Sequence, residues 1–214
     1  MTSVEMLIPD DITSVEFHAQ QQDRLVTGGT DGLVNVLDLS KSDEEEALVT
    51  SYNTEDSVAS VMWREEEVVV RTHTEAVHTW SPATSRTVRR SRREVAEVMR
   101  RGVEDHVYMA GVGVEEGEVR LLAGSRFLPS PCLRSLALTQ HGLQPRADFL
   151  RPGPSVRSSL HLRHRDQTVL TGGDDGVIRV WSLRESGSLP DPHLDTGGKI
   201  GNSATKVRKK PYTK

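Results

Sequence analysis

The chain has 214 residues, of which 35% are hydrophobic and 27% are charged, and its formal net charge is −4. Its three Phe, three Trp and three Tyr favour thin layered sheets over one thick hydrophobic core. No apolar run is as long as a membrane span, residues 1–11 lack the pattern of a signal peptide, and the single cysteine excludes an internal disulfide. We therefore expect an intracellular protein of the cytoplasm, the nucleus or both, without membrane contact.

The first predicted elements form a three-stranded meander near the start of the chain. Ile12–Phe17 (ITSVEF) has the alternating, β-branched pattern of a strand. Residues 25–39 (LVTGGTDGLVNVLDL) predict two further strands that a tight turn at Asp31-Gly32 connects.

A second, weaker unit follows the first. Its predicted strands are Val58–Trp63, Glu67–Arg71 and Ala76–Trp80, the last of which ends on a tryptophan. Thr74-Glu75 stands where the first unit has Asp-Gly, so the hydrogen-bonding role of that Asp is predicted to be absent.

A third unit is the least distinct. It has to be built from short aliphatic runs at Val95–Val98, Val107–Val112, Val119–Ala123 and Leu133–Leu138. The alternative is a helix over Arg93–Arg101, because Val95, Val98 and Met99 recur at helical spacing. Nearby prolines, such as Pro145, confine their segments to loops and strand edges.

The last unit repeats the first. Residues 169–183 (VLTGGDDGVIRVWSL) align with residues 25–39 without a gap at an offset of 144 residues, and seven of the fifteen positions are identical. Val156–Leu162 precedes this copy as Ile12–Phe17 precedes the other. One third of the offset is 48 residues, slightly more than the roughly 40 to 45 residues of a four-stranded propeller blade, so two further blades are expected between the copies.

The segment Gly172–Trp181 (GGDDGVIRVW) resembles the strand-turn-strand signature of the WD-repeat family. The resemblance implies an all-β fold, a partial WD-repeat β-propeller of about four blades, within residues 1–183. The approximate blade bounds are 4–40, 56–82, 93–126 and 132–183. Residues 184–214 contain few aliphatic side chains and are predicted to form a disordered basic tail.

The family resemblance also assigns structural positions. They are the strand hydroxyls of Thr27 and Thr171, the turn residues Asp31, Gly32, Asp175 and Gly176, and the indoles of Trp80 and Trp181. The histidine that the family places before the first strand is replaced by Ile8 and Pro152, and Leu37 takes the tryptophan position of the first blade. Neither copy is expected to form the full network, and these positions are structural rather than functional.

About four blades are fewer than a seven-bladed ring needs, so the resemblance implies an open ring with an exposed strand edge. A partial gene product, a half-ring that dimerises and a closed four-bladed ring are three explanations. In the first two cases the open edge favours self-association.

Residues for catalysis are not grouped in the sequence. Asp174-Asp175 fits a hairpin turn, and the spacing of His161 and His164 puts them on opposite faces of a strand. We therefore expect no catalytic site, no cofactor and no metal, and the resemblance implies a non-enzymatic scaffold that presents loops and a propeller face to partner proteins.

The other notable feature is a basic patch, formed by Arg86, Arg89, Arg90, Arg92 and Arg93, with Arg100 and Arg101 beyond it and basic residues at 206 and 208–210 in the tail. Such a patch favours an alternative function, that of an RNA- or ribonucleoprotein-associated nuclear factor. A solvated loop and tail is the simpler interpretation, because Glu94 and Glu97 are interleaved and no aromatic residue stands among the arginines.

Overall fold

The computed structural model describes residues 10–102, 106–126, 132–149, 156–162, 168–182 and 205–207. These residues form four antiparallel sheets of four strands each, and in each sheet the neighbours follow chain order. This is the blade architecture that the sequence predicts. Two short helices are present as well, α1 (Glu44–Ala47) and α2 (Arg92–Val98). The chain divides into two compact units, residues 1–92 and residues 93–214.

The first unit contains two sheets. The first sheet consists of β1 (Ile12–Phe17), β2 (Arg24–Gly29), β3 (Leu33–Asp38) and β4 (Leu48–Asn53). The second sheet consists of β5 (Val58–Arg64), β6 (Glu67–Thr72), β7 (Val77–Trp80) and β8 (Thr87–Arg90). The three strands predicted for each unit are confirmed. The outer strands β4 and β8 lie beyond the predicted blade bounds of 40 and 82, which are corrected accordingly.

The two sheets share one register. Each first strand carries an irregularity at the same place, between Ile12 and Ser14 in β1 and between Val58 and Ser60 in β5. Thr27 lies opposite Asn35 in the first sheet, as Val70 lies opposite His78 in the second. Residues of different sheets can therefore be matched position by position.

One face of the first sheet packs against the second sheet. The shared buried cluster consists of Val26, Val34, Val36, Val58, Val61, Trp63, Val68, Val70 and Trp80. The two backbones approach closely, because a Cβ added to Gly28 would lie 2.5 Å from Cγ1 of Val58. Burial of this valine-rich cluster supplies the main hydrophobic stabilisation of the unit.

The second unit also contains two sheets. The third sheet consists of β9 (Val107–Glu115), β10 (Glu118–Ser125), β11 (Cys132–Thr139) and β12 (Gly142–Phe149). The fourth consists of β13 (Val156–Leu162), β14 (Thr168–Gly173), β15 (Ile178–Ser182) and β16 (Thr205–Val207). The cluster that they share includes Ala110, Leu122, Leu133, Phe149, Val169 and Trp181.

The division between the third and fourth blades differs from the predicted one. The sequence places it between residues 126 and 132, but β11 pairs with β10 along its whole length, from Cys132 to Leu138. A turn with Gly142 at φ 112° then leads into β12, so the third sheet extends to Phe149. Pro145 lies in this outer strand, where a missing backbone donor is tolerated.

Residues 95–98 are helical. The strand predicted for Val95–Val98 is wrong, and the alternative of a helix within Arg93–Arg101 is confirmed by α2. Val95, Ala96 and Met99 are buried while Glu97 is exposed, which is the one-sided pattern of an amphipathic helix. Burial at helical spacing therefore decides the conformation here.

The end of the chain is only partly described. Thr205–Val207 form β16 and pair with β15, within the segment for which the sequence predicts disorder. The rest of that prediction, from residue 183 to 204 and from 208 to 214, lies outside the described residues.

Candidate protein-interaction surface

The fourth sheet brings its assigned structural residues together. The indole Nε1 of Trp181 donates a hydrogen bond of 2.9 Å to the hydroxyl of Thr171, and both side chains are buried. Asp175 accepts hydrogen bonds from the Val177 amide and from the guanidinium of Arg179. The Arg179 hydrogen bond is the main reason that the pKa of Asp175 lies below its usual value. Gly176 closes the turn at φ 66°, a conformation that favours glycine.

The first sheet contains the same turn with an incomplete network. Asp31 accepts a 2.9 Å hydrogen bond from the Leu33 amide, and Gly32 has φ 83°. Leu37 occupies the position of Trp181, and its side chain has no hydrogen-bond donor. Among the described residues, the buried hydroxyl of Thr27 and Oδ2 of Asp31 find no hydrogen-bond partner. Ile8 and Pro152, which replace the family's histidine, lie outside those residues.

In the second sheet a threonine replaces the turn aspartate. Oγ1 of Thr72 accepts a 3.2 Å hydrogen bond from the Ala76 amide, which matches the amides of Leu33 and Val177 in the other turns. Glu75 adopts φ 66° where the other turns have glycine. Trp80 is buried and stacks on Tyr52 with ring centroids 5.5 Å apart. The hydrogen-bonding role predicted to be lost is thus taken over by a residue that the sequence comparison missed.

Loops of the first unit are joined at one end of its sheets by hydrogen bonds, and we call this the loop-tip network. Its members are Gly32, Thr54, Asp56, Ser57, His73 and Thr74. The Thr54 hydroxyl donates to the carbonyl of Gly32 at 3.0 Å, the His73 amide donates to the carbonyl of Ser57 at 2.8 Å, and Asp56 accepts from the Thr74 hydroxyl. Three loops are therefore held in one arrangement.

The electrostatics of the loop-tip network centre on Asp56. Burial alone would raise the pKa of its carboxyl group, but hydrogen bonds from Thr74, Thr72 and Ser57 outweigh burial and lower the pKa below its usual value. The carboxylate is therefore ionised at neutral pH. Glu55, His73 and Thr74 are exposed around it. No sequence motif marks hydrogen bonds between loops, so the sequence does not predict that these residues lie together.

A buried histidine lies at the contact between the two sheets of the first unit. His78 in β7 occupies the position that Asn35 has in β3, and its Nδ1 lies 2.9 Å from the hydroxyl of Tyr52 in β4. Burial first, and then the charge of Arg89, lower the pKa of His78 from 6.5 to about 4. His78 is therefore neutral at physiological pH.

The predicted basic patch begins at Arg86, directly before the edge strand β8. Arg86 and Arg89 are exposed, and within the described part of the chain neither has an acidic partner at ion-pair distance. Arg92 pairs with Glu75 at 3.4 Å, and Arg90 donates to the carbonyl of Arg89. Arg93 is exposed in α2, which enters the second unit.

Groups for metal chemistry are not assembled in the described ranges, which contain no cluster of three or more His, Cys, Asp or Glu that could hold a metal ion. Asp174 and Asp175 lie in the turn between β14 and β15. His161 and His164 fall where side chains are not described. None of the helices in the described ranges has the length and apolarity needed to cross a membrane.

Comparison with known proteins gives a curated relative that matches part of the chain. No family model matches the chain. Over 78 residues the chain is 32% identical to the WD repeat-containing protein 89 homolog of Dictyostelium discoideum, a match that covers 35% of this chain and 22% of the relative. The chain thus matches about a fifth of the length of that relative.

Solved structures share the fold. The β-propeller domain of Myceliophteria thermophila Cps50 (Swd1) matches with a TM-score of 0.59 at 16% identity, over 82% of this chain and 54% of that one. The computationally designed Ika4 protein matches with a TM-score of 0.57 at 14% identity, over 86% of this chain and 99% of that one. With its four four-stranded sheets, the chain therefore has a β-propeller fold.

Proposed function

We propose that the chain is a non-enzymatic intracellular scaffold that binds other proteins through the loop tips of its blades. The observation that carries the proposal is the loop-tip network, in which three loops of the first unit are cross-linked by hydrogen bonds. Loops that are already ordered lose little conformational entropy on binding, so their exposed groups are suited to recognition. The likeness to a WD repeat-containing protein in sequence and to a β-propeller domain in fold supports the same function.

The exposed groups define the chemistry of the partner. Glu55 and the ionised Asp56 are acidic, and His73 and Thr74 add hydrogen-bonding side chains. A protein segment with lysine, arginine or amide donors would complement this surface.

The test compares partner binding by wild type, a loop-tip variant and a control. We suggest Glu55→Arg with Thr74→Arg as the loop-tip variant, because both residues are exposed and neither packs in the core. Lys41→Glu is the control, since Lys41 is also exposed but follows the opposite end of β3. Quantitative affinity purification should identify partners that wild type and the control recover and the loop-tip variant does not. In binding measurements with these purified partners, the affinity of the loop-tip variant should be lower by at least about tenfold, and that of the control should be unchanged. Equal recovery by all three proteins would contradict the proposal.

A second candidate function, contact with RNA, is favoured by two exposed arginines, one directly before β8 and one in it. Arg86 and Arg89 carry charges that no described acidic side chain neutralises, and phosphates release counterions when they bind such groups. Affinity for a single-stranded RNA should then fall with salt, and Arg86→Glu with Arg89→Glu should weaken binding and flatten the salt dependence. If this variant bound as Lys41→Glu does, the RNA function would be excluded.

A further inference from the structure

Strand β8 forms an open edge of the second sheet. The strand order in that sheet is β5-β6-β7-β8, and no strand of the described residues pairs with the other side of β8. Such an edge presents backbone N–H and C=O groups that a further strand can bind. Thr87 and Arg89 are exposed and Val88 and Arg90 are half-buried, so the strand is accessible from solvent.

The register of β8 shows which of its residues point their backbone groups outward. The Ser81 amide donates a 2.9 Å hydrogen bond to the carbonyl of Arg86, so these two residues form a hydrogen-bonded pair. Such pairs alternate with non-hydrogen-bonded pairs along two antiparallel strands, and the pairs that Thr87 and Arg89 form with β7 are the non-hydrogen-bonded ones. The N–H and C=O groups of Thr87 and Arg89 therefore point away from β7.

A side chain occupies part of this edge. The Arg90 guanidinium donates a 3.1 Å hydrogen bond to the carbonyl of Arg89. In the interior of a sheet such a carbonyl accepts its hydrogen bond from an amide of the neighbouring strand. The arginine thus fills the place of a missing strand, and its long side chain can leave that place when a strand arrives.

The charge of β8 distinguishes it from the outer strands of the first and third sheets. Arg86 and Arg89, directly before and within β8, are exposed and form no ion pair with a described residue. Strand β4 (LVTSYN) has no charged residue. In β12 both charged residues, Arg146 and Asp148, form ion pairs, and Pro145 lacks a backbone donor. Of these three strands, β8 alone combines outward backbone groups with positive charge that is not neutralised.

We propose that β8 binds an extended acidic segment of a partner protein, which adds to the second sheet as a further strand. The outward groups of Thr87 and Arg89 bind the backbone of this segment, and the guanidinium groups of Arg86 and Arg89 bind its carboxylates. Opposite charges on neighbouring strands stabilise their pairing. The residues of this surface are not members of the loop-tip network, so the proposal goes beyond the proposed function and does not rest on it.

Binding of RNA to the same arginines differs from strand addition in what it requires. Phosphates need only the positive charges, whereas an added strand also needs the outward backbone groups of β8. The half-buried Val88 offers an apolar position beside the arginines, which suits an alternating protein strand better than a phosphate backbone. The geometry of β8 therefore favours a protein segment, and the experiments below separate the two ligands.

The first experiment measures the binding of three fluorescent peptides of equal length to the full chain by anisotropy. Glutamate alternates with valine in the first peptide, glutamine replaces each glutamate in the second, and the third keeps the glutamates but has every backbone amide N-methylated. The wild type should bind the first peptide at least about tenfold more tightly than either of the others. Equal binding of the N-methylated peptide would overturn the proposal, because charge alone would then explain the affinity. Failure to bind the first peptide would overturn it as well.

The second experiment repeats the measurement with variants of the full chain. Arg86→Glu with Arg89→Glu should weaken binding of the first peptide at least about tenfold, because attraction becomes repulsion. Thr87→Pro removes one outward amide and none that pairs with β7, and it should weaken binding at least about fivefold. Lys41→Glu is the control, because Lys41 is exposed but lies outside β8, and it should bind as the wild type does. Circular dichroism spectra identify any variant that has lost its fold.

Two other occupants of the edge give different results. A single-stranded oligouridine that binds the wild type and Thr87→Pro equally, while the acidic peptide does not bind, would assign the arginines to RNA and overturn the proposal. Sedimentation velocity of the wild type alone tests for a second copy of the chain. Dimers that Thr87→Pro dissociates would assign the edge to that copy, which would also overturn the proposal.

Discussion

The hydroxyl of Tyr52 lies 2.9 Å from Nδ1 of His78, and this contact joins the outer strand of the first sheet to the third strand of the second. His78 is almost completely buried, and its Nε2 has no hydrogen-bond partner among the described residues. The neutral ring lets the Tyr52 hydroxyl donate to Nδ1. A protonated ring could not accept this hydrogen bond and would put a charge next to Arg89.

This contact predicts that mild acid destabilises the protein. The pKa of His78 is lowered from 6.5 to about 4, so the unfolded chain binds a proton at a higher pH than the folded chain does. His78 should therefore leave the free energy of unfolding unchanged above pH 6.5. The free energy of unfolding should fall as the pH drops from 6.5 to 4, and His78 should cause no further decrease below pH 4. The shift corresponds to a loss of up to about 3 kcal/mol, which urea unfolding at a series of pH values would measure.

His78→Asn is the matched control for this pH dependence, because asparagine stands at the same position of the first sheet as Asn35. The variant should be less sensitive to pH between 6.5 and 4. His73→Asn, at an exposed histidine, should keep the wild-type profile. If His78→Asn kept the full pH dependence, His78 would not be its source.

Thr171 and Thr27 occupy matching positions but should respond differently to the same substitution. Thr171→Val removes the acceptor of the buried Trp181 indole and should lower the free energy of unfolding by about 1 to 3 kcal/mol. Thr27→Val removes a buried hydroxyl that has no described partner, and it should be neutral or slightly stabilising. Urea unfolding of both variants, followed by Trp fluorescence, tests the difference. Equal losses would mean that the Thr27 hydroxyl is satisfied in solution.

Arg134 should be important for the stability of the second unit. Its largely buried guanidinium forms two hydrogen bonds with Asp148, at 2.5 and 2.9 Å, and a third with the carbonyl of Val98 in α2. Arg134→Met leaves Asp148 unpaired and should cost about 2 to 4 kcal/mol. Arg146→Met should cost less than about 1 kcal/mol, because Arg146 forms a more exposed ion pair with Glu118. Chemical denaturation of the two variants would show whether burial determines the difference.

Two matching glycines give a steric prediction. Gly28→Ala puts a methyl group against Val58 and should lower the free energy of unfolding by about 1 to 3 kcal/mol. Gly172→Ala finds open space among the described residues and should leave the free energy of unfolding of the isolated chain unchanged or slightly raised. Thermal unfolding at low protein concentration separates the two outcomes. A stable Gly28→Ala would contradict the close packing of the first two sheets.

The sequence predicts the strands best where the repeat is strong. Ile12–Phe17 and Val156–Leu162 are strands with the predicted bounds, because alternation and turn residues specify them locally. The sequence does not locate the outer strands β4 and β8, since each carries few buried side chains and depends on its neighbour for pairing. Residues 95–98 show why short apolar runs are ambiguous: valine at helical spacing also fits a strand.

The candidate surface could be predicted only in part. The Asp-Gly turns follow from local chemistry, and their glycines have the positive φ that such turns require. The hydrogen bonds of Asp56 and His78 depend on residues from elsewhere in the chain, Thr74 and Tyr52. No spacing rule in a single sequence reports contacts of this kind.

The equivalence of the first and last sheets supports the fold and the matched variants together. Nuclear Overhauser contacts across strands in a uniformly labelled sample test it most directly. The register predicts backbone contacts between Thr27 and Asn35 and the same contacts between Thr171 and Arg179. Helical contacts between successive amides in either segment, or a different register in one of them, would contradict the equivalence.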